Sequence, residues 1–170
     1  MPTKLLPVAL FALLVCSLAP SSASAQLGGP NTFGYTYDTT ALDYVSVPAT
    51  ETALGGIIGM GDDDEEFVTL PWAFSYYGVD YSTLTVGSNG GLGFVTTGIA
   101  YTNDCLPSSS SDSPAIAPFW DDLDPSFAFA LGGGIFAWHD TAGGNDRFIV
   151  SYEEVALFLG LDGATFQVHL

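Results

Sequence analysis

FVTLPWAFSYYGVDYSTLTVGSNGGLGFV, residues 67–95, decides the fold class. Trp72, Phe74 and Tyr76 fall on one side of an extended chain, and Ala73, Ser75 and Tyr77 on the other. That period-2 alternation marks a strand with one inward face. Pro71 splits the run into two strand pieces, because proline has no N–H to give to a ladder. In DYSTLTVGS (80–88), Leu84 and Val86 turn inward. Asn89-Gly90 then predicts a hairpin through a type I′ turn, since both residues tolerate positive φ. Strands joined by turns this tight pair antiparallel.

The pattern continues outward in both directions. FGYTY (33–37) places Phe33, Tyr35 and Tyr37 on one face, and DYVSVP (43–48) sets Tyr44 and Ser46 against Val45 and Val47. AIAPFW (115–120) is an apolar run that suits a buried strand finishing in Phe119 and Trp120. GGIFAWHD (133–140) and DRFIVSYEEVALF (146–158) predict a pair turned by TAGGN. In the second, Phe148, Val150 and Tyr152 alternate with Ile149, Ser151 and Glu153, and ATFQVHL (164–170) alternates Phe166, Val168 and Leu170. No stretch of helical period and no repeat is present. The expectation is an all-β chain, an antiparallel β-sandwich of roughly eight to ten short strands.

The first 25 residues read as a leader and not as fold. Lys4, the apolar run LLPVALFALLVCSLA and the small-residue site ASA at 23–25 have the layout of a secretory signal peptide cleaved after Ala25. Residues 26–32 then form a flexible lead-in to a domain spanning 33–170. Cleavage leaves Cys105 without a cysteine partner, and Leu170 falls in mid-strand. Both point to a natural chain that continues, because an open apolar edge invites aggregation.

Charge narrows the function. Nineteen Asp and Glu face two Lys and Arg, for a net charge of −17. Without the leader, Arg147 is the remaining basic side chain, so at most one or two carboxylates have a basic partner. The others face water, accept backbone N–H bonds or bind cations. Nucleic acid is a poor partner for such a surface, and so is an anionic membrane. No membrane insertion is expected after leader cleavage.

Two acidic stretches qualify as sites. Asp121, Asp122 and Asp124 follow Trp120, where three readings are open: turn residues accepting N–H bonds, calcium ligands, or a catalytic carboxylate pair. Asp122 and Asp124 would stand about 7 Å apart on an extended strand, a span that suits an inverting glycosidase and almost any D-x-D. DLDPS (122–126) opens like a calcium loop, but Phe127 stands where an EF-hand needs its turn glycine. Asp62 to Glu66, in GDDDEE, reads as a solvated loop or a second cation site, and both stretches converging on one ion is a further possibility. His139 and His169 lack the companions of a zinc site. No G-x-S-x-G nucleophile elbow is present, and the glycine runs precede no helix. Trp72, Phe74, Tyr76, Trp120 and Trp138 offer a sugar-stacking platform or, more simply, core.

The order of motifs resembles the nidogen-type extracellular domain and its bacterial secreted relatives. The resemblance rests on the FSYYG strand, Ser88-Asn89-Gly90 with its apolar strand, IAPFWDDLD (116–124) and the glycine-led GGGIFAWHD. FAWHD departs from the tyrosine-rich strand expected there. The resemblance implies a secreted or cell-surface module for adhesion or interaction, with no active site. Its partner would be an extracellular or cell-surface protein or glycan, and its cofactor at most calcium, at Asp121, Asp122 and Asp124. The rival readings are a secreted carbohydrate-binding module and an accessory domain of an extracellular hydrolase.

Overall fold

The computed structural model describes residues 27–38, 43–55, 59–95, 100–103, 114–130, 133–160 and 162–170. The leader, Cys105 and most of the serine-rich 98–113 loop lie outside the described residues. Contacts divide the chain into Met1–Ala41 and Leu42–Leu170. In the first unit, β1 (Leu27–Gly28) pairs antiparallel with β2 (Tyr37–Asp38). The strand expected over 33–37 is not formed there. Asn31 instead gathers a turn, its Oδ1 accepting the N–H groups of Phe33 and Tyr35 at 3.0 Å each.

The second unit is a sandwich of two antiparallel four-stranded sheets. One sheet runs in the order β3 (Glu65–Tyr76), β4 (Val79–Gly87), β5 (Leu92–Gly93), β6 (Ala115–Ile116). The other is built on a long central strand. Its members are β7 (Leu123–Asp124), the short helix α1 (Pro125–Ala130), β8 (Gly134–Asp140), β9 (Arg147–Leu157) and β10 (Gly163–His169). β10 lies along one edge of β9, while β8 and β7 pair with successive parts of it. The β8–β9 pair is the one the sequence predicts, turned by a single 3₁₀ turn at Ala142–Gly144.

Inward positions from both sheets form one core. Leu84, Val86, Leu92 and Phe94 come from the first, and Leu123, Ile135, Val150, Tyr152 and Val155 from the second. Trp72, Phe74 and Tyr76 pack against this core from the predicted face, which places the period-2 pattern in the interior. Tyr152 stacks on Phe166 and donates its hydroxyl across the sandwich to the Gly87 carbonyl at 2.7 Å. Burial pushes the phenol pKa up.

Three local expectations are corrected. The type I′ geometry is at Tyr77-Gly78, both at positive φ (49° and 82°), between paired Tyr76 and Val79. At Asn89-Gly90 only Gly90 has positive φ, and the chain makes a longer loop closed by Gly87 N–H to the Gly91 carbonyl. AIAPFW is a strand only at Ala115–Ile116, and Phe119 stands 41% exposed. The prolines before Ala115 and Phe119 keep the rest of that run out of the ladder. DYVSVP forms no strand but a strap against the outer face of β9 and β10. Gln167 exchanges two hydrogen bonds with the Val45 backbone, Tyr44 donates to Glu153, and Arg147 reaches Asp43. β9 is thus buried on both faces: Ile149 and Ser151 are as inaccessible as Val150 and Tyr152.

Candidate functional site

The site is built around the loop after β4. Ser88 N–H donates to the Asp64 carbonyl, and Ser88 Oγ accepts the Asp64 N–H at 3.0 Å. This reciprocal pair fixes the GDDDEE loop to the end of β4. Asn89, 3% exposed, holds the other side. Its amide nitrogen donates to Asp63 Oδ1 at 2.8 Å, and its Oδ1 accepts the Leu123 N–H at 2.9 Å. Gly90 closes the arrangement, because a Cβ there would stand 1.9 Å from the Phe119 carbonyl oxygen. Ser88, Asn89 and Gly90 therefore tie two acidic stretches, distant in sequence, to one corner of the sandwich.

Carboxylate oxygens of Asp62, Asp63 and Asp122 lie within 4.8 Å of one another there. Two oxygens on a calcium ion, each at about 2.4 Å, are separated by at most about twice that length. The three carboxylates thus fit one coordination sphere. Asp63 adopts φ 53°, a left-handed conformation that Asp tolerates better than most residues. Desolvation first, then the facing charges of Asp124, Asp63 and Asp122, push the Asp62 carboxyl above its ordinary range. Desolvation and then Asp63, Asp121 and Asp124 do the same to Asp122. A divalent cation would relieve this repulsion. Asp62 and Asp63 are exposed and Asp122 half-buried, so water has access to complete a shell.

The three aspartates read together in the sequence have separate roles. Asp122 joins the cluster. Asp121 Oδ1 accepts the Asp122 N–H at 2.9 Å, a turn bond. Asp124 is buried and caps α1, its Oδ1 taking both the N–H and the hydroxyl of Ser126. Asp-Pro-Ser is an N-cap followed by proline at the first helical position. Asp62 and Asp63 come from the stretch that also reads as a solvated loop. Asn89 was legible only as a turn residue, because no acidic residue lies between Asp80 and Asp104 to signal its bridging role.

The basic side chain of the second unit is committed elsewhere. Arg147 Nε donates to Asp140 at 2.8 Å and Nη1 to Asp43 at 2.5 Å. The hydrogen bond from Arg147 and that from the Ala142 N–H hold the Asp140 carboxyl below its ordinary range. His139 meets Asp146 at 2.6 Å on the surface. Trp138 is buried, and Trp120 Nε1 donates to the Ala100 carbonyl at 2.6 Å.

A family model described as NIDO related matches residues 34–170. The chain belongs to the NIDO-related family. The match covers the acidic loop, the Ser-Asn-Gly turn and Asp122 together. The NIDO-related region is of an extracellular domain type. No curated protein and no solved structure matches the chain. Among the described residues of this NIDO-related chain, no helix is long and apolar enough to cross a membrane.

Proposed function

We propose that this NIDO-related domain is a non-catalytic interaction module of an exported protein, of the adhesion type, steadied by calcium bound at Asp62, Asp63 and Asp122. The observation that carries the reading is the convergence of two acidic stretches on one corner, held there by Asn89. Among the described residues no Lys or Arg is left to neutralise it, since Arg147 bonds Asp140 and Asp43. Hard cations take several oxygens, and extracellular modules hold calcium at roughly 10⁻⁴ to 10⁻³ M. The ion would fix the order of the loops at this end of the sandwich, and the loops would meet the partner. Asp124, read from the sequence as a ligand, lies outside the three-carboxylate group, its Oδ1 serving the helix cap while its charge still faces Asp62 and Asp122.

Thermal unfolding in EDTA and in rising calcium, with magnesium as control, tests the reading. Binding to the native state alone stabilises by about 2.7 kcal/mol at a hundredfold excess over Kd. A rise of several degrees in the midpoint, specific to calcium and absent in Asp63→Asn, is expected. An unchanged midpoint at several millimolar calcium (on the order of the weakest extracellular sites) would sink the metal.

A further inference from the structure

The β9–β10 hairpin carries an apolar feature, lined by Leu157 and Phe166 where they leave the core half-exposed, apart from the carboxylate cluster. A pocket of about 280 Å³ opens between Phe119, Leu157 and Phe166, with Asp162 and Thr165 at its rim. It lies just below the roughly 300–1,000 Å³ of pockets that take drug-sized ligands, with room for an apolar side chain. Phe119 and Phe166 meet at 5.7 Å with their rings tilted by 41°, leaving the Phe119 ring 41% exposed. Beside the pocket, the turn between Leu157 and Asp162 displays Phe158 and Leu159, which are 44% and 88% exposed. Leu159 adopts φ 57°, a conformation a bulky residue rarely holds. The turn is tied to the carboxylate corner, since Phe158 N–H donates to the Asp122 carbonyl at 2.8 Å.

We propose that this pocket and turn form the docking surface for a polypeptide segment that presents an apolar side chain flanked by Lys or Arg. The inference rests on the interaction-module reading and names the chemistry of its partner. Charge complementarity selects the cation: Asp162 lines the pocket, the chain carries −17 overall, and Arg147 is committed to Asp140 and Asp43. Pocket shape selects the apolar anchor, which an interface desolvates at its centre inside a polar rim. A sugar is a poorer match. It needs several polar groups, and Thr165 Oγ1 already accepts the Glu154 N–H at 2.9 Å.

The test is an NMR titration of the purified chain with acetyl-Arg-Phe-Arg-amide in millimolar calcium. Saturable shifts of the Gly163, Ala164 and Thr165 amides are expected, with a Kd on the order of 1 mM. Acetyl-Arg-Ala-Arg-amide should bind at least about tenfold more weakly, and acetyl-Glu-Phe-Glu-amide not at all. Asp162→Asn and Leu159→Ser, both at exposed positions, should each weaken binding about threefold or more. Equal shifts with the alanine peptide would mean that the acidic surface alone attracts it, and would overturn the pocket. Absence of shifts, or shifts produced by chitobiose instead, would overturn the proposal as well. Calcium stabilisation measured on the same sample separates the two claims: a calcium shift without peptide binding removes the docking surface and leaves the module.

Discussion

Asn89→Ala removes the side chain that joins the two acidic stretches, and its cost follows from two hydrogen bonds. The Leu123 N–H, on a residue with no solvent exposure, loses its acceptor. A buried donor left unsatisfied costs about 1–3 kcal/mol. The bond to Asp63 is to a charged group, a class worth about 1.5–3 kcal/mol. Water entering at the exposed Asp63 end recovers part of the second term, so the expected loss is about 3–4 kcal/mol. That is a large share of the roughly 5–15 kcal/mol that holds a domain. Urea unfolding is the assay. With m between about 1 and 3 kcal/mol/M, the midpoint should fall by roughly 1–4 M at constant m. Asn89→Asp keeps an acceptor for Leu123 but sets a carboxylate against Asp63, so calcium should restore part of its loss. A change below about 1 kcal/mol in Asn89→Ala would refute the reasoning, because the bridge would then be incidental to the corner.

Further expectations rest on the same geometry. Gly90→Ala and Gly78→Ala both place a side chain at positive φ, 78° and 82°, but only the first meets backbone, 1.9 Å from the Phe119 oxygen. Gly78→Ala should cost about 1–2 kcal/mol and Gly90→Ala clearly more, readable as unfolding midpoints; equal losses would contradict the close approach. Asp122→Asn should change sign with the metal. In EDTA it relieves repulsion and stabilises by a few tenths to about 1 kcal/mol, whereas in calcium it is less stable than the parent. A variant destabilised equally in both media would count against a cation there.

Acidity gives a fourth test with a definite sign. Asp140 has a native pKa below its ordinary 3.8. Its contribution is therefore fully present above that value and is lost as pH falls through the native pKa. Asp140→Asn should flatten that acid limb and lower stability near neutrality. Asp62 and Asp122 run the other way, since their native values are raised. Without metal their repulsion is relieved as pH falls from above the raised values toward the ordinary one. Calcium stabilisation should fade over that same interval, because protons then compete for the ligands.

The sandwich was legible because period-2 alternation survives in every long strand. Leu84, Val86, Phe148, Val150, Tyr152, Phe166 and Val168 all face the core that their spacing predicts. The strap at 43–48 was not, because its alternation also fits a segment lying flat on an outer sheet face. Phe119 misled for a related reason: an apolar run reads as core, yet its prolines break the ladder and expose the ring. In the site, composition alone made cation binding plausible, but ligand membership depends on a contact between residues 26 and 34 positions apart. No local pattern encodes such a contact. The D-x-D spacing drew Asp122 and Asp124 together, whereas helix capping turned Asp124 inward and left Asp122 with Asp62 and Asp63.

The most direct measurement is an anomalous difference map from crystals of the chain grown in millimolar calcium. The account predicts one ion about 2.3–2.6 Å from oxygens of Asp62, Asp63 and Asp122, with the Asn89 bridge intact. An ion held instead by Asp121 and Asp124, or three carboxylates splayed apart with none between them, would contradict it.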